Sequence, residues 1–197
     1  SILTGLYPRE HGVRHNGAQA LDPKLDTIAE VARHNGYKSS FYSGGPPVWR
    51  RAAFNQGFDV FDDSVQVSSK MPYRPVGKIV DLFLNWQASE APRGNFLSFM
   101  FLSDPQFIDQ PTFDSVGEVR ESSYASQVEA VSEALDGLVR EMKARKVWET
   151  TTVVLIGLEG PASGARAYEP SAVNLFSEST RSILMIKPAR KKREGPF

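Results

Sequence analysis

The chain has no cysteine, only three histidines, no net charge and no apolar run long enough to cross a membrane. Without cysteine there is no structural disulfide and no thiolate metal site. That absence fits a cytoplasmic and an extracytoplasmic protein equally well. Lys plus Arg and Asp plus Glu are both 23, so nothing recommends nucleic acid or an anionic membrane as partner. No apolar stretch approaches ~18 residues, so no membrane span is expected in this chain. His11, His15 and His34 do not have metal-ligand spacing. No signal-peptide pattern is present. The chain opens on Ser1-Ile2-Leu3-Thr4-Gly5 with no initiator Met, an opening expected of a fragment or a processed chain.

What is there is ordinary for a globular domain: 197 residues, 41% hydrophobic and 23% charged. Thr4 to Pro8 and His15-Asn16-Gly17 read as turns. Leu25 to Asn35 carries an apolar stripe near the 3.6 period and reads as a helix, with Gly36 at its end. Tyr37 to Tyr42 reads as a strand closed by Gly44-Gly45-Pro46-Pro47. Gly57 to Asp63 is a short extended piece, and Val76 to Ala88 an amphipathic helix. Phe96 to Leu102 is the apolar run expected of a strand buried on both faces. Val119 to Val147 is the strongest helix, with Tyr124, Val128, Val131, Leu135, Leu138 and Met142 on one face. Thr151 to Ile156 reads as a second buried strand and Ser182 to Lys187 as a last one. Apolar strands alternating with helices predict an α/β fold, a mostly parallel sheet flanked by helices on both faces. One domain over 1–190 with a basic tail at 191–197 is the economical organisation. The run Arg190-Lys191-Lys192-Arg193 leading into that tail reads as solvated.

Six stretches, in order, resemble the bacterial sulfatases of the alkaline phosphatase superfamily. Ser1 to Gly5 matches the end of the family's nucleophile motif (Cys or Ser, x, Pro, x, Arg, three residues, Leu-Thr-Gly), and Leu6 to Val13 continue it. Leu25 to Val31 with Gly36-Tyr37-Lys38-Ser39 follow. Then come Gln56 to Asp63, Leu102 to Gln106, the helix at Tyr124 with Trp148 to Val154, and Leu175 to Arg181 leading into Ile183 to Lys187. No stretch is specific alone; six in the family's order cover nearly the whole chain.

The resemblance implies an alkaline phosphatase/sulfatase-like fold and chemistry on a sulfate ester. In the family, a formylglycine made from the Cys or Ser attacks the sulfate. A calcium-type ion, held by Asp and Asn oxygens, orients the nucleophile and the sulfate. Lys, Arg and His donors neutralise charge and protonate the leaving alcohol. Little of this set is here. The nucleophile, its Arg and the family's paired N-terminal Asp ligands belong before Ser1. The place of a Lys is taken by Gly44, although some branches with a Gly-Gly version also lack it. The middle strand usually carries His and ends in Asp-Pro-His; the matching places are Phe101 and Gln106, with only Asp104 and Pro105 kept. The late Asp-His-Gly or Asp-Asn-Gly is Leu158-Glu159-Gly160. The window Pro170 to Asn174 holds neither Lys nor His.

A Leu cannot ligate a cation, and a Phe or Gln cannot act as a general acid near neutral pH. The expectation is therefore a degenerate sulfatase domain with no catalytic residue and no metal or other cofactor, acting in protein or anionic-glycan binding. The alternative is a sulfuric or phosphoric ester hydrolase seen as a fragment of a longer, calcium-dependent sulfatase. A third reading is a structural module of a larger envelope protein. Five residues are weak binding candidates: Arg50 and Arg51, which beside Trp49 suit an anionic sugar; His11, whose plainer job is a turn hydrogen bond; Asp104, whose plainer job is a turn; and Glu159, one carboxylate where a calcium site needs several. Asp62 and Asp63 are adjacent and would point to opposite faces of a strand. An extracytoplasmic location follows from the resemblance alone.

Overall fold

The computed structural model describes residues 1–15, 19–65, 73–91, 94–106, 112–113, 119–120, 124–158 and 182–190. Contacts divide the chain into two compact units, Ser1–Leu138 and Val139–Phe197.

The first unit is built on a three-stranded parallel sheet. Its strands are β1 (Lys38–Ser43), β2 (Val60–Asp62) and β3 (Phe96–Phe101), in the order β2-β1-β3. Phe41 on the middle strand is registered with Phe61 on one side and Phe99 on the other. Side chains alternate across a strand, so these three rings share a face. Phe41 stacks on Phe99 at 5.7 Å between centroids and meets Phe61 at 5.2 Å. Phe58 and Phe54 close over it edge-on at 5.3 and 6.5 Å. Phe101, Val48 and Leu3 complete the cluster.

α1 (Pro8–His11) is a single turn where the sequence suggested no helix, and its Tyr7 N–H donates to Glu10 Oε2 at 2.8 Å. α2 (Ile28–His34) is shorter than the apolar stripe predicts, because Thr27 caps its N-terminus and sets its start. Glu30 N–H donates to Thr27 Oγ1 at 3.3 Å while Thr27 N–H donates to Glu30 Oε2 at 2.9 Å. Burial pulls the Glu30 carboxyl upward, but hydrogen bonds from Thr27 and Gln56 outweigh it and leave it below its usual range. Gln56 also donates to Leu25 O, and Thr27 Oγ1 to Gln56 O, which joins α2 to the 54–58 segment over the Phe41 face. Gly57 there has φ +83°, and a Cβ would lie 2.7 Å from Glu30 N, so only glycine serves.

The opposite sheet face carries α3 (Val76–Glu90), whose Phe83 and Trp86 pack on Phe96 of β3 at 5.9 and 6.1 Å. Ser39, Ser40 and Ser43 of β1 are fully buried and all bonded: Ser39 to Asp59, Ser40 to Ser98, Ser43 to the Gly45 and Val48 carbonyls. These are the partners that buried hydroxyls require. The fold is thus α/β, a parallel sheet with helices on its faces.

α4 (Tyr124–Ala144) begins where its apolar stripe begins. Val119–Arg120, predicted helical, instead forms β5 and pairs antiparallel with β4 (Thr112–Phe113). In the second unit, β6 (Val153–Ile156) pairs antiparallel with β7 (Leu184–Lys187). The prediction of a buried strand at Thr151 to Ile156 fails here. Val154, Leu155 and Ile156 are 50%, 37% and 43% exposed. The strand is apolar on both faces, but β7 is its one strand partner among the described residues.

Phe41→Ala should lower stability by about 3–5 kcal/mol, because it empties the centre of a ring cluster that cannot fully collapse. Phe41→Leu should cost less than half of that. Urea unfolding followed by circular dichroism checks it; a loss under about 1 kcal/mol for the alanine variant would place the sheet's main support elsewhere.

Candidate functional site

In open α/β sheets, ligands sit outside the carboxyl ends of the strands. Those ends are Ser43, Asp62 and Phe101, and the segments leaving them carry three of the four candidate residues in the first unit, Arg50, Arg51 and Asp104. The β1–β3 side of this edge is closed. Gly44 N–H donates to Phe101 O at 2.8 Å, and a Cβ on Gly44 would lie 2.6 Å from both Phe101 O and Ser103 Oγ. No side chain fits there without moving β3. Phe101, expected from the resemblance to stand at a family His place, is packed into the Phe41 cluster.

Asp104 follows directly, in the short 3-10 turn Asp104–Gln106. It is more than a turn residue. Its Oδ1 accepts from Val76 N–H at 3.0 Å, so a carboxylate from the end of β3 caps the start of α3, where the helix dipole favours negative charge. Asp104 is only 4% exposed, and its Oδ2 has no hydrogen-bond partner among the described residues. Burial pushes its carboxyl up to about 6, against the opposing pull of the Val76 and Asp104 N–H groups. Tyr73, 1% exposed, is pushed up to about 12 by burial and by the Asp104 charge. Ser103 Oγ is also buried without a partner among the described residues.

The β1–β2 side is open. Arg74 reaches Asp62 at 2.9 Å and Ser64 at 3.3 Å, with its backbone N–H on Gly44 O at 2.7 Å. Burial raises the Asp62 carboxyl, but donors from Ser64 and Arg74 more than reverse this and hold it below its usual range. The neighbouring Asp63 accepts from Arg50 N–H at 2.8 Å. Arg50, in the 3-10 turn Arg50–Ala52, is committed to the scaffold: Nη2 donates to Phe61 O at 2.8 Å and the guanidinium lies 5.3 Å over the Phe61 ring. Among the described residues, the Arg51 guanidinium has no hydrogen bond or ion pair. Its guanidinium lies 4.3 Å over the Trp49 ring, and the two line a shallow hollow with Asp63 and Val65.

His11 is elsewhere. It is buried; Val13 N–H donates to Nδ1 at 3.2 Å, so the proton of the neutral ring sits on Nε2 and faces Ser1 Oγ at 3.0 Å. Glu159, Gly160, the 170–174 window and the 191–193 basic residues lie outside the described residues. Leu158 is 59% exposed and offers no side-chain oxygen. Calcium needs six to eight oxygens. Among the described residues, no three His, Cys, Asp or Glu side chains come together, and Asp104 already spends one oxygen on α3. Sequence reasoning missed Arg74 and Tyr73. The one local signal was Pro75, a proline directly before the helix.

Asp104 yields a pH prediction. Its folded pKa, about 6, lies above the 3.8 of a free aspartate, so its contribution is fully present below the lower value and is lost as pH rises through the higher one. Wild-type stability minus that of Asp104→Asn should therefore fall between pH 4 and pH 7, by on the order of 2 kcal/mol. Urea titrations at several pH values measure this; a difference that rises with pH would show that the carboxylate is stabilised in its charged form.

No curated protein matches the sequence. Solved structures do, at low identity and over nearly all of this chain. The phosphonate monoester hydrolase of Agrobacterium radiobacter has a TM-score of 0.65 at 15% identity, covering 95% of this chain and 57% of that one. A 2-O GAG sulfatase has 0.65 at 12%, covering 100% and 54%. A structure solved with its substrate D-glucosamine-2-N,6-O-disulfate has 0.64 at 13%, covering 95% and 60%. The chain thus spans little more than half the length of these structures, and the likeness is one of fold. The sulfatase family itself matches residues 1–194. The chain belongs to the sulfatase family.

Proposed function

We propose that this sulfatase-family domain hydrolyses no ester by itself and binds an anionic ligand, a sulfated sugar by preference, at the Trp49–Arg51 platform. The observation that carries the reading is the closed β1–β3 edge. The place of a charged donor is a glycine with Phe101 O and Ser103 Oγ 2.6 Å from its missing Cβ. A phenylalanine belonging to the core fills a histidine position. On the β1–β2 side, no described residue takes Arg51's donors, which suit a planar anion, while the Trp49 ring offers a face to a sugar. A protein partner at the same edge is the other form of this reading. By family likeness the domain works outside the cytoplasm, and among the described residues no helix is long and apolar enough to span a membrane.

Two results are expected. The 197-residue chain should show no turnover of an aryl sulfate or an aryl phosphate, with or without calcium. It should bind D-glucosamine-2-N,6-O-disulfate, the saccharide carried by one of the solved structures. Arg51→Ala should weaken that binding about 10-fold, the loss of one charge-assisted contact of about 1.4 kcal/mol. Metal-dependent turnover, or binding indifferent to Arg51, would defeat the proposal.

A second reading is favoured by the short coverage: the chain is part of a longer, calcium-dependent sulfatase whose nucleophile lies on other polypeptide. In that protein Glu159→Gln should lower turnover at least 10-fold, and unchanged turnover would count against it.

A further inference from the structure

Asp104 joins two layers of the first unit through a single oxygen. Its Oδ1 accepts from Val76 N–H at 3.0 Å at the start of α3, while Oδ2 is buried with no hydrogen-bond partner among the described residues. Among those residues no countercharge faces it. Gly44, just past β1, and Ser103, just past β3, are uncharged and packed on each other. Tyr73, in the segment entering α3, is the titratable group that faces it, and with its hydroxyl pushed up to about 12 it stays neutral. Arg74 turns its guanidinium to Asp62 and Ser64, and Lys78 of α3 lines the hollow on that side. Only the N–H groups of Val76 and of Asp104 itself, among the described residues, favour the charged form. A buried carboxylate matched this poorly gains by reaching water.

The 73–76 segment beside it is tied down by three described polar contacts. Arg74 N–H donates to Gly44 O at 2.7 Å, the Arg74 guanidinium to Asp62 at 2.9 Å, and Val76 N–H to Asp104 itself. Just beyond, Ile79, Val80 and Phe83 are buried and anchor α3, so an opening at 73–76 leaves the rest of the helix in place. We propose that the entry to α3 is a pH-operated latch: with Asp104 neutral the 73–76 segment is shut on Gly44, and with Asp104 ionised the segment opens as a unit while the sheet and the body of α3 stay folded. The closed form remains the majority, and the opening is a local one. The direction follows from the two ends of the equilibrium. In the closed form the carboxyl is pushed up to about 6; in the open form it is in water, near the free value of 3.8. Rising pH therefore favours the open form, and its population should grow roughly 10-fold between pH 5 and pH 7.

Amide hydrogen exchange at pH 5 and pH 7, with each rate divided by that of an unstructured amide at the same pH, tests it. Protection at Arg74 and Val76 should fall roughly 10-fold from the lower pH to the higher. At both pH values it should be lower than at the amides of β1. It should also be indifferent to low urea, because a local opening exposes little surface, whereas β1 should respond to urea as global unfolding does. Asp104→Asn keeps an oxygen for Val76 N–H and cannot ionise, so protection at Arg74 and Val76 should lose its pH dependence. Protection there that is independent of pH, that follows β1 in both level and urea response, or that falls equally in Asp104→Asn would overturn the proposal. The first two readouts use the wild-type chain alone. None involves saccharide, calcium or turnover, so the latch and the proposed function fail separately.

Discussion

Everything the first unit does rests on the ring of Phe41. It sits on the middle strand, where register brings Phe61 and Phe99 alongside and the return segment lays Phe54 and Phe58 over the top. Rings in offset or edge-on contact gain beyond simple burial. This cluster fixes the spacing of the three strands and the position of the 54–58 segment, and Gln56 carries that position on to α2. It also reaches the strand ends through Phe101 and Val48. The same packing that makes the fold therefore fills one side of the edge where an α/β sheet would hold its ligand.

The polar groups on that edge follow the same logic. Asp104 crosses from β3 to cap α3, which binds the helix on one sheet face to the strand between the layers. The cost is a buried carboxylate with one oxygen unpaired, and the raised pKa is the sign of that cost. Arg74 and Asp62 tie the segment entering α3 back to β2. With these residues committed to structure, Arg51 and Trp49 remain, among the described residues, to line the hollow beside Asp63. The domain keeps a family fold whose stabilising contacts are independent of the family's chemistry.

Much of this was legible in the residues. Apolar periodicity located α2, α3 and α4, and the short aromatic runs located β1 and β3. That Gly44, Phe101, Gln106 and Leu158 stand at the family's donor places is an expectation from the resemblance. Three things were not legible. The cap on α3 comes from 28 residues away and leaves no local pattern. The closure at Gly44 depends on how close β3 passes, which no spacing records. The exposure of β6 inverts what its composition says, because an apolar strand reads as buried whether or not its cover is part of the same chain. Arg50 and Arg51 look equivalent in sequence and separate only through geometry, one spent on Phe61 and Asp63, the other over Trp49.

The central claim is that the β1–β3 edge is closed and the β1–β2 edge is the one that meets a ligand. Amide chemical-shift mapping separates the two, with calcium and D-glucosamine-2-N,6-O-disulfate added in turn to the labelled chain. The account predicts shifts at Trp49, Arg51 and Asp63 with the saccharide, and none at Gly44, Ser103 or Asp104 with calcium. Saturating calcium-dependent shifts centred on Gly44, Ser103 and Asp104 would contradict it.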